Sequence, residues 1–264
     1  MFDWLRRSRK KQEIPEYSAI RERPNRGLPS DLAEQEPKEL SIRSAAIEQS
    51  LLESARTTQD SPLFVEIVAG NEQSLLAITL PETTSHCLLI FSTPFRAADY
   101  VRTVTDSGSS HQYLSSNPLE LVTLLRDARE VGIEQFTLDR CPRCNVYCAV
   151  YSSAMNTAND VVTCWAVMKA TEFARVDLYL TYAQTSARAG DLITAREVLF
   201  ETAAHVTFED PRVHLALGQV AVALHESELL YEAKAFLQFF QLNSWEHRLD
   251  EIARSGSPNF EFVD

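Results

Sequence analysis

Three cysteines lie close together in the middle of the chain, at Cys141, Cys144 and Cys148. Two thiolates separated by two residues can bind one zinc ion, because this spacing lets a tight turn direct both sulfur atoms toward one point. Cys148 lies one helical turn beyond Cys144 and could supply a third ligand. The sequence has no second Cys-x-x-Cys pair, so the fourth ligand would come from elsewhere. The candidates are Cys164, Cys87, His86 and His111.

The same segment is compatible with thiol redox chemistry. A strand that runs into Cys-x-x-Cys and then a helix is the arrangement of thioredoxin, and Arg140 and Arg143 would lower the pKa of a neighbouring thiol. We find no later strands to complete that fold. A third interpretation is that these residues are ordinary thiols of a cytosolic protein. The sequence therefore predicts no cofactor, with zinc as the alternative.

The composition restricts the remaining function classes. The chain has 264 residues and a formal net charge of −12, which disfavours a nucleic-acid partner because phosphate backbones repel it. The odd count of five cysteines does not fit a secreted disulfide framework, and no apolar run is long enough to span a membrane. We therefore predict a cytoplasmic protein. No phosphate loop, nucleophile elbow or metalloprotease helix is present, so the sequence does not indicate an enzyme.

Changes in composition and hydrophobic periodicity predict three regions along the chain. Residues 1–38 form a basic, proline-interrupted tail that we expect to be disordered. Its first residues, 1–12, include Phe2 and Trp4 and could contact an anionic membrane, although a solvated tail is the main prediction. Residues 39–158 are predicted to form an α+β domain, and residues 159–264 an all-α domain.

The elements of the α+β domain follow from apolar runs and turn residues. Strands are predicted at 63–68, 75–80, 87–91 and 133–138, and helices at 39–56, 95–104 and 121–131. Two helix starts carry capping signals, Thr93-Pro94 and Asn117-Pro118 with Glu120, and Gly132 is a stop signal. The polar stretch 106–116 is predicted to be a loop. No strand is predicted after Cys144.

The last third of the chain shows a repeated pattern of small and large residues. After a helix at 160–170, residues 173–253 contain two segments with this pattern. The turn Gly190-Asp191 lies inside the first segment, between its two helices, and Asp210-Pro211 starts the second segment. The positions are Tyr179, Tyr182, Ala183, Ala195 and Leu199 in the first segment, and Leu217, Gly218, Ala233 and Leu237 in the second. Small residues at a helix crossing permit close approach, and large residues fill the adjacent grooves.

This pattern resembles the tetratricopeptide family, whose repeat is a 34-residue helix–turn–helix unit. The resemblance implies stacked helical hairpins and a protein–protein interaction module, an adaptor or chaperone-like protein that holds another protein or a peptide in its groove. The partner-binding residues would be those of the first helix of each hairpin that point away from the packed positions. They are Asp177, Thr181, Gln184, Arg212 and Gln219. The sequence does not predict an oligomeric state.

A shorter resemblance concerns the middle of the chain. The strand that ends at Phe91, followed by Ser92-Thr93-Pro94 and a helix, is similar to the N-terminal domain of the enhanced serine sensitivity protein B family. That family is linked to bacterial secretion and stress phenotypes. The resemblance implies no catalytic residue.

Overall fold

The computed structural model describes residues 27–57, 62–69, 74–75, 77–79, 85–104, 111–143 and 148–263. These residues form helices and a small mixed sheet, which confirms the α+β class. The chain divides into two compact units, a sheet unit formed by residues 33–175 and a helical unit formed by the segments before and after it. Among the described helices, none is long and apolar enough to cross a membrane.

The first helix begins earlier than the sequence predicts. Helix α1 spans Ser30–Thr57, so the tail predicted to reach residue 38 cannot extend past residue 29. Pro37 lies inside this helix, where a proline removes one backbone hydrogen bond. The basic stretch 1–12 lies outside the described residues.

Tertiary contacts compensate for Pro37. Leu32 is completely buried in the core of the helical unit, and Tyr182 donates a hydrogen bond from its hydroxyl to the Asp31 carboxylate at 2.9 Å. Within the sheet unit, Arg175 Nε donates to Glu36 Oε1 at 2.6 Å. Asp31, Leu32 and Glu36 all precede the proline, so these contacts stabilise the first turns of α1, which local sequence signals could not predict.

The sheet unit contains seven described strands and the helices that cover them. The strands are β1 (Phe64–Ala69), β2 (Ser74–Leu75), β3 (Ala77–Thr79), β4 (His86–Phe91), β5 (His111–Ser116), β6 (Gln135–Leu138) and β7 (Val150–Ser152). The helices are α2 (Pro94–Val104), α3 (Pro118–Glu130) and the first half of α4 (Ala158–Arg188). Strand β1 pairs antiparallel with β2, β4 and β5, while β4 pairs parallel with β6. Strand β3 pairs antiparallel with β4, and β7 with β6.

Both faces of the sheet are covered, which explains the nearly continuous apolar runs of its central strands. Alternate residues of a strand point to opposite faces. Phe64 and Ile90 therefore pack with Leu121 of α3, whereas Val65 and Phe91 pack on the α2 side.

The predicted elements of this unit are largely confirmed. Helix α3 begins with the predicted capping box, in which Asn117 Oδ1 accepts from the Glu120 backbone at 3.0 Å and Glu120 Oε2 accepts from Asn117 N at 2.8 Å. Two predictions are wrong. The polar stretch at 111–116 is strand β5 rather than loop, and β7 follows the cysteine segment where no strand was predicted.

The helical unit contains the second half of α4 and the helices that follow it. They are α5 (Leu192–Glu201), a π-helix (Thr202–Val206), α6 (Pro211–Leu224), α7 (Ser227–Phe239) and α8 (Asn243–Ser255). The helices predicted at 160–170 and from 173 onward form one continuous helix, α4, because no glycine or proline interrupts residues 158–188. Gly190 has a φ of 88° and permits the turn into α5.

The small residues singled out in the sequence lie in the core of this unit. Ala183, Ala195 and Ala233 are completely buried. A Cβ atom added to Gly218 would lie 2.5 Å from Leu249 Cδ1 of α8, closer than atoms can approach. The absence of a side chain at this position is therefore what allows α6 and α8 to pack together.

Candidate functional site

The five residues predicted to bind a partner lie on α4 and α6. Asp177, Thr181 and Gln184 are spaced by four and three residues, so they share one face of α4. Arg212 and Gln219 lie seven residues apart, two turns along α6. The structure brings these residues into two groups, one charged and one formed by the two glutamines.

The charged group is formed by Arg212 and two carboxylates. Arg212 Nη1 donates to Asp177 Oδ1 at 2.7 Å, and Nη2 donates to Asp210 Oδ2 at 2.7 Å. Hydrogen bonds with Asp210 raise the pKa of Arg212 further above its usual value, so the guanidinium stays charged. Thr181 is exposed and donates its hydroxyl to the backbone oxygen of Asp177 at 2.7 Å. The charged group thus connects the two helices beside an exposed threonine.

The two glutamines hold the segment that follows α8. Gln184 Oε1 accepts hydrogen bonds from the backbone N–H groups of Phe262 at 2.7 Å and Val263 at 3.3 Å. Gln219 Oε1 accepts from the N–H of Phe260 at 2.9 Å, and Gln219 Nε2 donates to the Glu261 carbonyl at 3.2 Å. Two of the predicted partner-binding residues therefore bind backbone atoms of this chain. These atoms belong to residues 257–263, which we call the docked segment.

Aromatic side chains anchor the docked segment. Phe262 is only 4% exposed and belongs to the same core cluster as Val176, Tyr179 and Leu180 of α4, while Phe260 is partly buried against this cluster. The side chain of the intervening Glu261 is 55% exposed. The side chains of Phe260 and Phe262 therefore pack against the core, while the backbone from Phe260 to Val263 is bound by the two glutamines.

The backbone of the docked segment is strained at one position. Phe260 has a φ of 51°, in the left-handed region that non-glycine residues rarely adopt. Sequence reasoning missed this segment altogether. The available signal was the alternation of Phe260 and Phe262 in a stretch that is otherwise mostly polar.

The cysteine segment brings together two of the three predicted zinc ligands. The backbone N–H of Cys141 donates to Cys148 Sγ at 3.2 Å, and that of Arg143 donates to Cys141 Sγ at 3.4 Å. Cys144 lies outside the described residues. Burial raises the pKa of Cys148, and burial also raises that of Cys87, on β4, to about 11. Such thiols stay protonated at neutral pH and are weak nucleophiles.

The other candidate ligands are distributed over the sheet unit. Cys164 lies on α4, His86 begins β4 and approaches Thr79 Oγ1 at 3.4 Å, and His111 begins β5. Within the described ranges, no three His, Cys, Asp or Glu side chains are grouped closely enough to hold a metal ion. Cys87, Cys141, Cys148 and Cys164 occur as thiols rather than disulfides.

A buried ion network was not predicted from the sequence. It consists of Arg96, Asp139, Lys169 and Glu172, whose side chains are at most 12% exposed. Arg96 Nη1 donates to Asp139 Oδ2 at 2.9 Å, and its two terminal nitrogens donate to the two Glu172 oxygens at 2.8 Å. Lys169 Nζ lies 3.2 Å from Asp139 Oδ2. The two positive and two negative charges compensate one another.

Asp139 is the centre of the ion network. Burial alone would raise the pKa of its carboxyl group, but Arg96, Lys169 and two hydrogen bonds from Ser92, both 2.6 Å long, hold it at about 2. Ser92 and Asp139 follow the adjacent parallel strands β4 and β6, whose carboxyl ends meet at one edge of the sheet. All four charged groups are engaged with one another, so the network fixes α2 and α4 to this edge.

Comparison of the chain with protein-family models, curated proteins and solved structures finds no match.

Proposed function

We propose that the helical unit is a protein–protein interaction module, an adaptor or chaperone-like protein that binds a short segment of another protein. The observation that supports this function is the contact of Gln184 and Gln219 with four backbone groups of the docked segment. Side-chain amides that bind backbone atoms of one segment offer the same hydrogen bonds to another, because every peptide carries these groups.

The arrangement of the helices supports the same proposal. Short turns join α4 to α5 and α6 to α7, and small residues such as Gly218 and Ala195 lie at the packed positions. These features support the tetratricopeptide-like part of the proposal, because in such arrays the first helix of each hairpin lines a groove. The five predicted residues lie on α4 and α6, the first helices of the two hairpins.

Affinity capture from a cell lysate with matched variants tests the proposal. Thr181→Arg and Thr181→Glu change the charge of an exposed position between Asp177 and Gln184 without removing a buried contact. We expect both variants to lose the captured protein while their thermal unfolding stays unchanged. The control is Tyr231→Arg, at a residue of α7 that is 73% exposed, which should retain capture. If all four proteins capture the same partners equally, the face formed by α4 and α6 is not the binding site.

Zinc binding by the cysteine segment is the second candidate function. The observation that favours it is the contact of the Cys141 N–H with Cys148 Sγ at 3.2 Å, since two of the proposed ligand residues are neighbours in the structure. The N–H of Arg143 donates to the other sulfur. Backbone donors of this kind stabilise the negative charge of a coordinating thiolate.

Elemental analysis of the purified chain and of a Cys141→Ser, Cys148→Ser variant tests this candidate. Stoichiometric zinc in the chain and none in the variant would support it. The control is Asp127→Asn, at a residue that is 65% exposed and is not a candidate ligand, and it should keep the metal. Purified chain without zinc, even after refolding with zinc in excess, would reject the candidate.

A further inference from the structure

We propose that Gln184, Gln219 and the core under Phe262 form a binding site for a partner segment with the pattern aromatic–x–aromatic, and that the docked segment is an intramolecular competitor for this site. This inference rests on the proposed function and names the class of partner. The site is the one that residues 257–263 occupy in the structure.

The hydrogen bonds of the site cannot select a sequence. They join the two glutamine side chains to the N–H groups of Phe260, Phe262 and Val263 and to one carbonyl. Every one of these segment groups belongs to the backbone, so any peptide without proline at the donor positions supplies them. Gln219 is completely buried, and a ligand must therefore satisfy its amide whenever the site is occupied.

Side chains of the ligand supply the selectivity. Phe262 is buried in the core cluster, and Phe260 packs partly against it, with the two ring centroids 6.2 Å apart and the rings perpendicular. Glu261 points outward, and its carboxylate lies 3.9 Å from Arg248 of α8. The site therefore requires two aromatic residues separated by one residue, and tolerates a polar residue between them, preferably an acidic one.

The docked segment has the properties of a replaceable ligand. It forms no helix or strand of its own, and it joins α8 through Gly256, which has a φ of 64°. Its strained residue, Phe260, weakens its binding relative to a segment that presents the same two rings with a relaxed backbone. Its tether keeps its effective concentration high, on the order of millimolar. A partner segment therefore binds when its own concentration and affinity are high enough to displace the docked segment, or when the docked segment has been released.

A defined peptide tests the inference. The probe is a fluorescent peptide of residues 257–264, titrated into the full chain and into a variant lacking these residues. We expect the peptide to bind the truncated variant at least tenfold more tightly than the full chain, because only the full chain carries the competitor. A control peptide with both phenylalanines replaced by serine should not bind. Gln219→Leu in the truncated variant should weaken binding at least tenfold.

A second variant covers the case in which the truncated chain does not fold. Phe262→Ser in the full chain keeps the segment but removes its buried anchor, so the peptide should bind this variant at least tenfold more tightly than the unmodified chain. Ser257→Ala, in the same segment but at an exposed position, is the control and should leave peptide binding as weak as in the full chain.

Three outcomes would overturn the inference. The first is equal binding of the peptide to the full chain and to every folded variant, and the second is binding to none of them. The third is concentration-dependent dimerisation of the full chain that the truncation abolishes, since the occupant would then be a second copy. Capture that depends on Thr181 while the peptide fails would leave the proposed function standing and remove only the competitor.

Discussion

The completely buried side chain of Gln219 accepts a hydrogen bond from the backbone N–H of Phe260 at 2.9 Å, although the two residues are 41 positions apart in the chain. The same amide donates to the Glu261 carbonyl. A side chain of α6 thereby holds the docked segment in place. Mutation of Gln219 should therefore free this segment.

Gln219→Leu should release the docked segment. The substitution removes both hydrogen bonds, each of which contributes about 1 kcal/mol, so we expect the free energy of unfolding to fall by about 1–3 kcal/mol. Chymotrypsin should also cleave after Phe260 several times faster, because the segment becomes accessible. Urea denaturation and limited proteolysis measure the two effects. Gln112→Leu, at an exposed residue of β5 in the sheet unit, is the control and should change neither quantity. Equal cleavage rates in both variants would contradict this assignment.

Gly218→Ala should disturb the packing of α8 on α6. The added Cβ would lie 2.5 Å from Leu249 Cδ1, so we expect a loss of about 1–3 kcal/mol in the free energy of unfolding. The double variant with Leu249→Ala should be less destabilised than the sum of the two single variants, since the shorter side chain makes room for the new methyl group. If the losses in free energy of unfolding, measured by chemical denaturation, were strictly additive, residues 218 and 249 would not be in contact.

Local chemistry explains which elements were predictable from the sequence. The Asn117 cap, the Gly132 stop and the apolar runs of β1 and β4 are signals that a few neighbouring residues carry, and the structure confirms the elements they predict. Strand β5 carries almost no such signal, because its side chains are mostly exposed and its position depends on backbone pairing with β1. Helix α1 was misjudged for the same reason, since contacts with distant residues stabilise the turn that contains Pro37.

The candidate site was predictable only in part. The helical spacing of Asp177, Thr181 and Gln184 is enough to put them on one face of α4, because helix geometry is local. The occupant of that face comes from a distant part of the chain, and no periodicity connects Gln184 to Phe262. The ion network was unpredictable for the same reason. Arg96 and Glu172 are far apart in the sequence and come into contact only when the sheet and α4 have formed.

Asp139→Asn should strongly destabilise the sheet unit. The change removes one charge from a buried and compensated network and leaves Arg96 and Lys169 with a single carboxylate, so we expect a loss of about 3–5 kcal/mol. Asp127→Asn is the control, because Asp127 is 65% exposed and pairs only loosely with Arg126. Thermal denaturation at pH 7 should separate the two variants clearly. Similar melting temperatures would show that the network contributes little.

The same carboxylate predicts sensitivity to acid. The pKa of Asp139 is lowered from 3.8 to about 2, so its contribution of about 2 kcal/mol is present above pH 3.8 and is lost as the pH falls toward 2. In Asp139→Asn the corresponding loss should be missing between pH 4 and pH 2. A variant that loses stability over this interval as steeply as the unmodified chain would contradict the assignment.

The buried thiol of Cys87 and the partly buried thiol of Cys148 should react slowly with alkylating agents. Burial raises the pKa of Cys87 to about 11 and also raises that of Cys148, so the thiolate fraction of each is small at pH 7.5. We expect iodoacetamide to modify both at least tenfold more slowly in the folded chain than in urea, as measured by mass spectrometry of peptides. Rapid modification of Cys148 in the folded chain would instead favour the redox alternative.

Glu66→Gln should stabilise the sheet unit at neutral pH. Glu66 lies on β1, is 1% exposed, and its Oε1 has no hydrogen-bond partner among the described residues. Burial raises its pKa from 4.5 to about 6, with a smaller contribution from the nearby Glu120, while a hydrogen bond with Ser116 opposes the shift. The folded state therefore favours the protonated carboxyl, and the free energy of unfolding should fall by about 2 kcal/mol as the pH rises from 4.5 through 6.

Glutamine is uncharged at every pH, so the variant should lack this dependence. We expect it to exceed the unmodified chain in stability by about 1–2 kcal/mol at pH 7.5 and to match it near pH 4.5. The measurement is urea denaturation at both pH values, and the control is Glu130→Gln at the end of α3, where the side chain is accessible and the stability should not change. A variant that is less stable than the chain at pH 7.5 would show that the Glu66 carboxylate has a partner that only a negative charge can satisfy.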